Sequence, residues 1–268
     1  MEAWLRDKGY PDDKVHAPRH CRPAALTPGC CAQVISPFRH NMVDGQALLG
    51  LTDAAMARHI AWDIGIAGLG ARLSALLGAT FIRQTYSRLV IDCNRQPGGE
   101  SSIVIESDGV VVPGNRALTP ADIQARIDEI YTPYQAAIGA ELDRRGSGRT
   151  LLVSLHSFTP SMGGVDRPWH YGVLHRGDSA FSDRVLRHLR AVLGEAVVGD
   201  NQPYALDSKR DKTVPLHVDA RAIDYLEIEV RQDLLGDEPG QAAVAQFLAP
   251  VLTGALSGSA GSAEPAVI

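Results

Sequence analysis

Short apolar runs alternate with helical segments along most of this chain, and this alternation restricts the fold more than any other feature. The apolar runs are bounded by polar residues and are too short for helices, so we predict buried strands at residues 80–83, 89–93, 151–155, 171–174, 197–198 and 224–230. Apolar residues at helical spacing predict helices at residues 52–77, 119–142, 182–193 and 241–256. This order predicts a three-layer α/β fold, with a central mixed, mostly parallel sheet and helices on both faces.

The length suits a single domain. A chain of 268 residues can be built around one core, since cores stop growing at roughly 250–300 residues. Residues 1–33 show no period of 2 or 3.6 and contain four prolines, which predicts an irregular arm. Residues 34–256 would form the domain, and residues 257–268 a Gly-, Ser- and Ala-rich tail that we expect to be disordered.

The charge balance excludes several classes of partner. Lys and Arg number 26 and Asp and Glu number 31, giving a net charge of −5, so no overall basic field would hold nucleic acid or an anionic membrane. No apolar run approaches the ~18 residues of a membrane span. The four cysteines are too few and too irregularly spaced for a disulfide framework or a C-x-x-C zinc pattern. We therefore expect a cytoplasmic protein.

Polar residues follow two of the predicted strands. Asp92, Asn94 and Arg95 come at the end of the second strand, and His156 at the end of the third. Open α/β sheets place their sites at the carboxyl ends of strands. A neutral histidine there can bind zinc or act as a base, and an arginine beside an asparagine amide can hold a carboxylate. A structural histidine and a structural Arg95–Asp92 ion pair are the alternatives.

Carboxylates also occur inside predicted elements. Period 2 places Glu227, Glu229 and Arg231 on one face of the last strand, and a glutamate buried there can have its pKa raised and act as a general base. Salt-bridged structural acids are the alternative. His59 and Asp63, at i and i+4, share one side of the first predicted helix and could bind a metal or form only a surface pair.

Eight segments carry a more specific pattern. They are HIAWDIG (59–65), YSRLVIDCNR (86–95), SDG (107–109), PGNR (113–116), LHSFTP (155–160), RPWH (167–170), GDNQPY (199–204) and EIEVRQDL (227–234). In this order and spacing they resemble the N-formylglutamate amidohydrolase family, over about residues 51–248. The resemblance implies a fold similar to that of the zinc carboxypeptidases and an amide hydrolysis used in histidine degradation.

The resemblance implies one bound zinc, or another divalent metal in its place. His156 and Asp63 would be ligands of the metal, and His59 would support Asp63 from outside the ligand set. Glu229 would be the general base that activates the attacking water, while the metal polarises the carbonyl oxygen of the substrate.

The resemblance also implies a small-molecule substrate that carries a carboxylate. Asn94 and Arg95 would hold this carboxylate, with Arg116 and Arg231 as further substrate-binding residues. The loop at residues 199–204 could close over the substrate.

The chain departs from the family pattern near its first strand. The family places a further zinc-binding histidine there, in a pattern like C-[DE]-H-A-S-N-x-x-P, whereas residues 34–43 read VISPFRHNMV. His40 followed by Asn41 is a partial match, but the acid before the histidine is missing and Pro37 intrudes. Without His40 the metal site would lack one imidazole.

We therefore predict zinc-dependent hydrolysis of the amide bond of a small N-acyl amino acid such as N-formyl-L-glutamate. Two alternatives remain open at this point. One is a related amidase or peptidase that acts on another N-acyl amino acid. The other is a catalytically impaired family member that acts as a ligand-binding domain.

Overall fold

A computed structural model of the protein describes residues 32–36, 49–145 and 150–257, and for residues 32–36 it describes the backbone. The predicted arm and tail lie almost entirely outside the described residues, as does His40.

Ten strands occur in the described part of the chain. They are β1 (Ala32–Ser36), β2 (Phe81–Arg83), β3 (Glu106–Ser107), β4 (Val110–Val111), β5 (Leu151–Phe158), β6 (Ser161–Met162), β7 (Val165–Asp166), β8 (Tyr171–Leu174), β9 (Val198–Asp200) and β10 (Asp224–Arg231). Six of them form the central sheet in the order β2-β1-β5-β10-β8-β9. All neighbouring pairs in this sheet are parallel except β10 with β8. β3–β4 and β6–β7 are separate antiparallel hairpins.

Seven α-helices accompany the sheet. They are α1 (Asp53–Met56), α2 (Ile66–Leu77), α3 (Pro120–Arg126), α4 (Thr132–Arg145), α5 (Ala180–Leu193), α6 (Thr213–Val218) and α7 (Glu238–Ser257) within the described ranges. Among these described helices, none combines the length and hydropathy needed to cross a bilayer.

The helices cover both faces of the sheet, which confirms the predicted α/β class. On one face α2, α5 and α7 pack on apolar residues of β5 and β10, such as Val153 and Ile228. The other face is covered by α4, α6 and irregular segments that contribute buried residues such as Ile60 and Ile91. These irregular segments leave room for polar side chains on this second face of the sheet.

Most predicted elements are confirmed with small shifts at their ends. Five of the six predicted strands exist, and the helices predicted at residues 182–193 and 241–256 correspond to α5 and α7. Thr119 caps α3 through a capping box with Asp122, as the sequence signal indicates. Near Pro133, where we expect a kink, a π-helical turn at Ile127–Tyr131 interrupts the α-helix, and proline has no N–H to continue the regular pattern.

The strand predicted at residues 89–93 is wrong. This apolar segment is buried but forms turns, and side chains take the place of a neighbouring strand as its hydrogen-bond partners. Asn115 Nδ2 donates to the carbonyl of Leu89 at 2.8 Å, an Arg126 guanidinium nitrogen to that of Val90 at 2.7 Å, and Gln135 Nε2 to that of Cys93 at 2.7 Å. Because buried carbonyls need partners of any kind, an apolar run alone does not distinguish a strand from such a segment.

The continuous helix predicted at residues 52–77 is also wrong. α1 ends at Met56, and an irregular turn leads to α2, which begins at Ile66. Gly65 adopts a left-handed φ of +78°, which an α-helix does not contain. His59 and Asp63 are therefore not one helical turn apart on a helix face, and the turn is free to direct Asp63 toward the sheet.

Gly65 gives a direct stability prediction. A Cβ at this position would lie 2.3 Å from the Cβ and 2.4 Å from the carbonyl oxygen of Leu235, so Gly65→Ala requires backbone movement as well as a strained φ. We expect a loss of about 3 kcal/mol in the free energy of unfolding. Gly78→Ala is the matched control, because Gly78 has a φ of +61° but open space around its Cβ position, and it should cost only about 1 kcal/mol. Equal losses in urea denaturation would contradict the role of the close approach to Leu235.

Candidate active site

The candidate site lies where β5 and β10 run side by side. These strands pair in parallel, with Glu227 opposite Ser154 and Glu229 opposite His156. All four side chains point to the face opposite α2, α5 and α7, since the alternate residues of both strands belong to the core on that other side. A cavity of about 340 Å³ opens there and is lined by His156, Glu227 and Glu229.

His156 is held from both sides of its ring. Its Nδ1 lies 2.9 Å from Asp63 Oδ2, and its Nε2 lies 3.0 Å from Ser154 Oγ. Burial alone would lower the pKa of His156, but the hydrogen bond and charge of Asp63, with the charges of Glu227 and Glu229, raise it to about 9. The arrangement orients the imidazole and supplies negative charge around it.

The turn between α1 and α2 delivers Asp63 to this position. Ser157 Oγ donates to the carbonyl of Ile64 at 3.0 Å, and Gly65 packs directly against Leu235. These contacts tie the turn to β5 and to the segment that follows β10. Asp63 therefore reaches the site through tertiary contacts, although it precedes His156 by 93 residues.

Glu227 and Glu229 are buried carboxyl groups. Burial raises the pKa of Glu227 to about 7 and that of Glu229 to about 8, even though the charge of His156 opposes both shifts. The Oε2 atom of each has no hydrogen-bond partner among the described residues. A buried carboxyl group with a raised pKa and a free oxygen is suited to accept and return a proton near neutral pH.

These shifts predict how stability depends on pH. Glu227, Glu229 and His156 all have raised pKa values in the folded, metal-free protein, so they bind protons more tightly when folded than when unfolded. We expect the free energy of unfolding to fall as the pH rises from about 6.5 to 9, through these three pKa values. Urea denaturation of chelator-treated protein across this range measures the effect, and Glu229→Gln should flatten the profile. A rise in stability over the same range would contradict it.

A second group of charges lines the same cavity. Arg88 bonds Asp92 at 2.7 Å and lies 3.4 Å from Asp63, which links this group to the histidine. Burial opposes ionisation of Asp92, but the charges of Arg88 and Arg95 outweigh it and hold its pKa below the usual value.

Asn94 and Arg95, which we expect to hold a substrate carboxylate, both line the cavity, but both already have partners. Asn94 Oδ1 accepts the backbone N–H groups of Lys212 and Thr213, at 3.2 and 2.9 Å, where α6 begins. An Arg95 guanidinium nitrogen bonds Asp211 Oδ1 at 2.5 Å. The alternative ion pair of Arg95 with Asp92 is thus replaced by one with Asp211, and any substrate carboxylate would share this arginine with Asp211.

The other predicted residues lie in different surroundings. His59 lines the cavity, and burial lowers its pKa despite Asp108, whose carboxylate lies 3.7 Å away. Arg116 is exposed and is not part of the cavity lining. Arg231 bonds Asp233 at 2.7 Å and does not line the cavity either.

Several site residues were not assigned from the sequence. Asp211 and Arg210 lie in a polar loop between β9 and α6, which carries no period or motif that indicates a site. Arg88 stands inside the segment of residues 86–95, so the motif contained it without indicating its ion pairs. Ser154 could have been found through period 2, because it precedes His156 by two residues on the same strand face.

Two of the side chains suit a metal ion. Asp63 Oδ2 and His156 Nδ1 are 2.9 Å apart, near the roughly 3.3 Å that separates two ligands of one tetrahedral zinc ion. Within residues 49–145 and 150–257 no group of three His, Cys, Asp or Glu side chains forms a complete ligand set. The pair therefore fits as two ligands of an ion that needs a third from another part of the chain, and the predicted third ligand, His40, lies outside the described residues.

The central sheet and its helices define an α/β protein. The polar cavity at the carboxyl edge of the sheet contains buried carboxyl groups beside a histidine, which are acid–base groups of the kind that a hydrolase requires. The family model for N-formylglutamate amidohydrolase matches residues 34–236. The chain belongs to the N-formylglutamate amidohydrolase family, as the sequence resemblance indicated, and the family implies a hydrolase with a small-molecule substrate.

Two solved structures extend this comparison. The gene product Atu2144 from Agrobacterium tumefaciens is 32% identical, with a TM-score of 0.78 over 86% of this chain and 91% of that chain. N-formylglutamate amidohydrolase from Ralstonia eutropha JMP134 is 22% identical, with a TM-score of 0.60 over 86% of this chain and 95% of that chain, and at this identity it supports the fold. No match was found among curated proteins.

Proposed function

We propose that the protein hydrolyses the amide bond of a small N-acyl amino acid that carries a carboxylate, with N-formyl-L-glutamate as the first substrate to test. The observation that carries this proposal is the pairing of Glu229 with His156 across β5 and β10, with Asp63 bonded to the same histidine. It places a potential base beside a potential pair of metal ligands in one cavity.

Asp63 and His156 would hold a divalent metal, zinc in our proposal, with His40 as the third protein ligand. When bound, the metal supplies Lewis acidity toward the amide carbonyl and lowers the pKa of water at the site. The remaining steps depend on the protein side chains.

Glu229 carries the proton through the reaction. Its Oε2 accepts a proton from the attacking water, whose oxygen forms a bond to the acyl carbon. Glu229 then gives this proton to the amide nitrogen as the C–N bond breaks. The products are the free amino acid and, from a formyl substrate, formate. The raised pKa of about 8 suits a group that must act first as base and then as acid near neutral pH.

Asn94 and Arg95 remain our proposal for one substrate carboxylate. Both line the cavity, and an arginine can bind a carboxylate while it also contacts a protein acid, because its five N–H donors serve more than one acceptor. Arg116 and Arg231 are left out because, among the described residues, neither lines the cavity or bonds a side chain that lines it.

Formate release from N-formyl-L-glutamate by zinc-supplied protein tests the proposal. We expect saturable turnover with this substrate. Comparison with N-acetyl-L-glutamate and N-formyl-L-alanine distinguishes a formamidase from an amidase of other N-acyl amino acids. No release from any of them, by folded protein with zinc bound, would overturn the proposed activity.

The second candidate function is ligand binding by a catalytically impaired family member. It is favoured by one observation, that the described residues supply two metal ligands and not three. In that case the protein would bind N-formyl-L-glutamate in calorimetry but would take up no zinc at micromolar concentrations and release no formate.

A further inference from the structure

Most positive charges at the cavity are already matched by carboxylates. The lining contains five acidic side chains, namely Asp63, Asp92, Asp211, Glu227 and Glu229. It contains three arginines, and each lies within 4 Å of an acid: Arg88 contacts Asp92, and Arg95 and Arg210 contact Asp211. A substrate with two carboxylates would therefore meet a cavity whose own cations are largely neutralised.

Arg167 differs from these three arginines: it is not itself part of the cavity lining, but its guanidinium bonds side chains that are. One guanidinium nitrogen donates to Thr159 Oγ1 at 3.2 Å and to Tyr204 Oη at 3.0 Å, and the other terminal nitrogen lies 3.0 Å from Met162 Sδ. Thr159, Met162 and Tyr204 all line the cavity. In the part of the chain that the structure describes, no carboxylate lies within ion-pair distance of Arg167. Its neutral partners fix the guanidinium without cancelling its charge.

The surrounding structure holds Arg167 in place. Its backbone N–H donates to the carbonyl of Pro160 at 2.8 Å, which closes the base of the β6–β7 hairpin. Its own carbonyl accepts a hydrogen bond from Arg231 at 3.3 Å. The guanidinium also lies over the ring of Tyr204, with its central carbon 4.9 Å from the ring centre. A cation fixed in this way loses little further conformational entropy when an anion binds.

From this arrangement we propose that Arg167 binds the second carboxylate of an acidic N-acyl amino acid and so selects dicarboxylate substrates over monocarboxylate ones. The inference rests on the proposed function and adds a specificity residue to it. A carboxylate at this position would take the place of Met162 Sδ, a much weaker acceptor, and could also accept the hydroxyl proton of Tyr204. Arg231 would then act on the substrate only indirectly, through the backbone of Arg167.

The test compares an acid with its neutral isostere. N-formyl-L-glutamate and N-formyl-L-glutamine differ in one charged group, and kcat/KM for each is measured with wild type, Arg167→Gln and Arg167→Lys. We expect Arg167→Gln to lower kcat/KM for N-formyl-L-glutamate about 30-fold, mainly through KM, while the value for N-formyl-L-glutamine changes less than about threefold. Arg167→Lys should retain part of the preference for the acid, because lysine keeps the positive charge but cannot bind a carboxylate through two parallel N–H groups.

The control variant is Arg187→Gln, which removes the same charge from the exposed surface of α5. It should leave kcat/KM for both substrates unchanged. Thermal denaturation of each variant separates a folding defect from a binding defect. Equal losses for both substrates in folded Arg167→Gln, or an unchanged preference for the acid, would overturn the inference while the proposed function stands.

A binding measurement separates failure of the inference from failure of the proposed function. Calorimetric titration with glutarate and with its monoamide requires no turnover. We expect wild type to bind glutarate more tightly than the monoamide. Arg167→Gln should weaken the binding of glutarate about tenfold or more. If neither formyl substrate is hydrolysed but glutarate binding depends on Arg167, the proposed activity is wrong and the anion site is supported. If glutarate binding is unaffected by Arg167→Gln, the anion site is wrong.

Discussion

We expect replacement of Glu229 by glutamine to lower kcat for amide hydrolysis about 10³-fold, with little change in substrate binding. Glutamine has nearly the same shape, and the Oε2 atom that it replaces has no hydrogen-bond partner among the described residues, so packing is retained. In the proposed mechanism, the variant lacks the group that accepts the proton of water. Steady-state formate release and a single-turnover measurement quantify the effect.

Glu227→Gln is the matched control for this variant. Glu227 is also buried in β10, lines the same cavity and has a raised pKa, but it lies opposite Ser154 and not His156. We expect a loss of no more than about tenfold. A larger loss in Glu227→Gln than in Glu229→Gln would assign the base to Glu227.

We expect replacement of His156 by alanine to remove the proposed metal and to lower kcat/KM by about 10³-fold or more. The change eliminates one of the two proposed metal-binding atoms, which lie 2.9 Å apart, and leaves Asp63 without its histidine partner. Metal analysis of protein purified without chelator should find about one zinc per chain in wild type and almost none in His156→Ala. Asp63→Asn should weaken zinc binding less completely, because the amide oxygen remains.

His175→Ala is the control for zinc content. His175 pairs with Asp200 at 2.9 Å and is not part of the cavity lining, so this variant should keep its metal. Wild-type protein that stays metal-free after zinc is supplied would contradict the ligand assignment and favour the impaired family member.

The sequence was sufficient to predict the strands and helices in which apolar residues recur at a regular spacing. The runs at residues 151–155 and 224–230 predicted the two central strands, and period 2 predicted that Glu227 and Glu229 share one face of the second strand, because side chains alternate regularly along a strand. The helix signals around Thr119 and Pro133 were equally local. In these cases the residues that determine the structure are neighbours in the chain.

The same reasoning failed where distant contacts decide the backbone. The segment at residues 89–93 has the composition of a strand, but partners such as Arg126 and Gln135, from two later helical segments, satisfy its carbonyls. The apolar spacing of residues 52–77 persists through a turn that is held by Leu235, which lies 170 residues after Gly65.

The ion pairs of the site show the same limit. Arg95 and Asp211 are 116 residues apart, and Asp63 and His156 are 93 apart. The motif pattern included several side chains that line the cavity, such as Asp63 and Asn94, but it did not show which charges are compensated and which remain available.

The register of β10 against β5 links the packing of the core to the positions of the site residues in evolution. A shift of one residue would turn Glu227 and Glu229 into the layer now occupied by Ile228 and Val230, and would bring apolar side chains to the cavity. A chain with β10 shifted by one residue would therefore not keep part of the activity that we propose. Such a shift would remove the apolar side chains of β10 from the core and the two glutamates from the cavity. Selection for stable packing of β10 therefore also preserves the position of Glu229, independently of any selection on turnover.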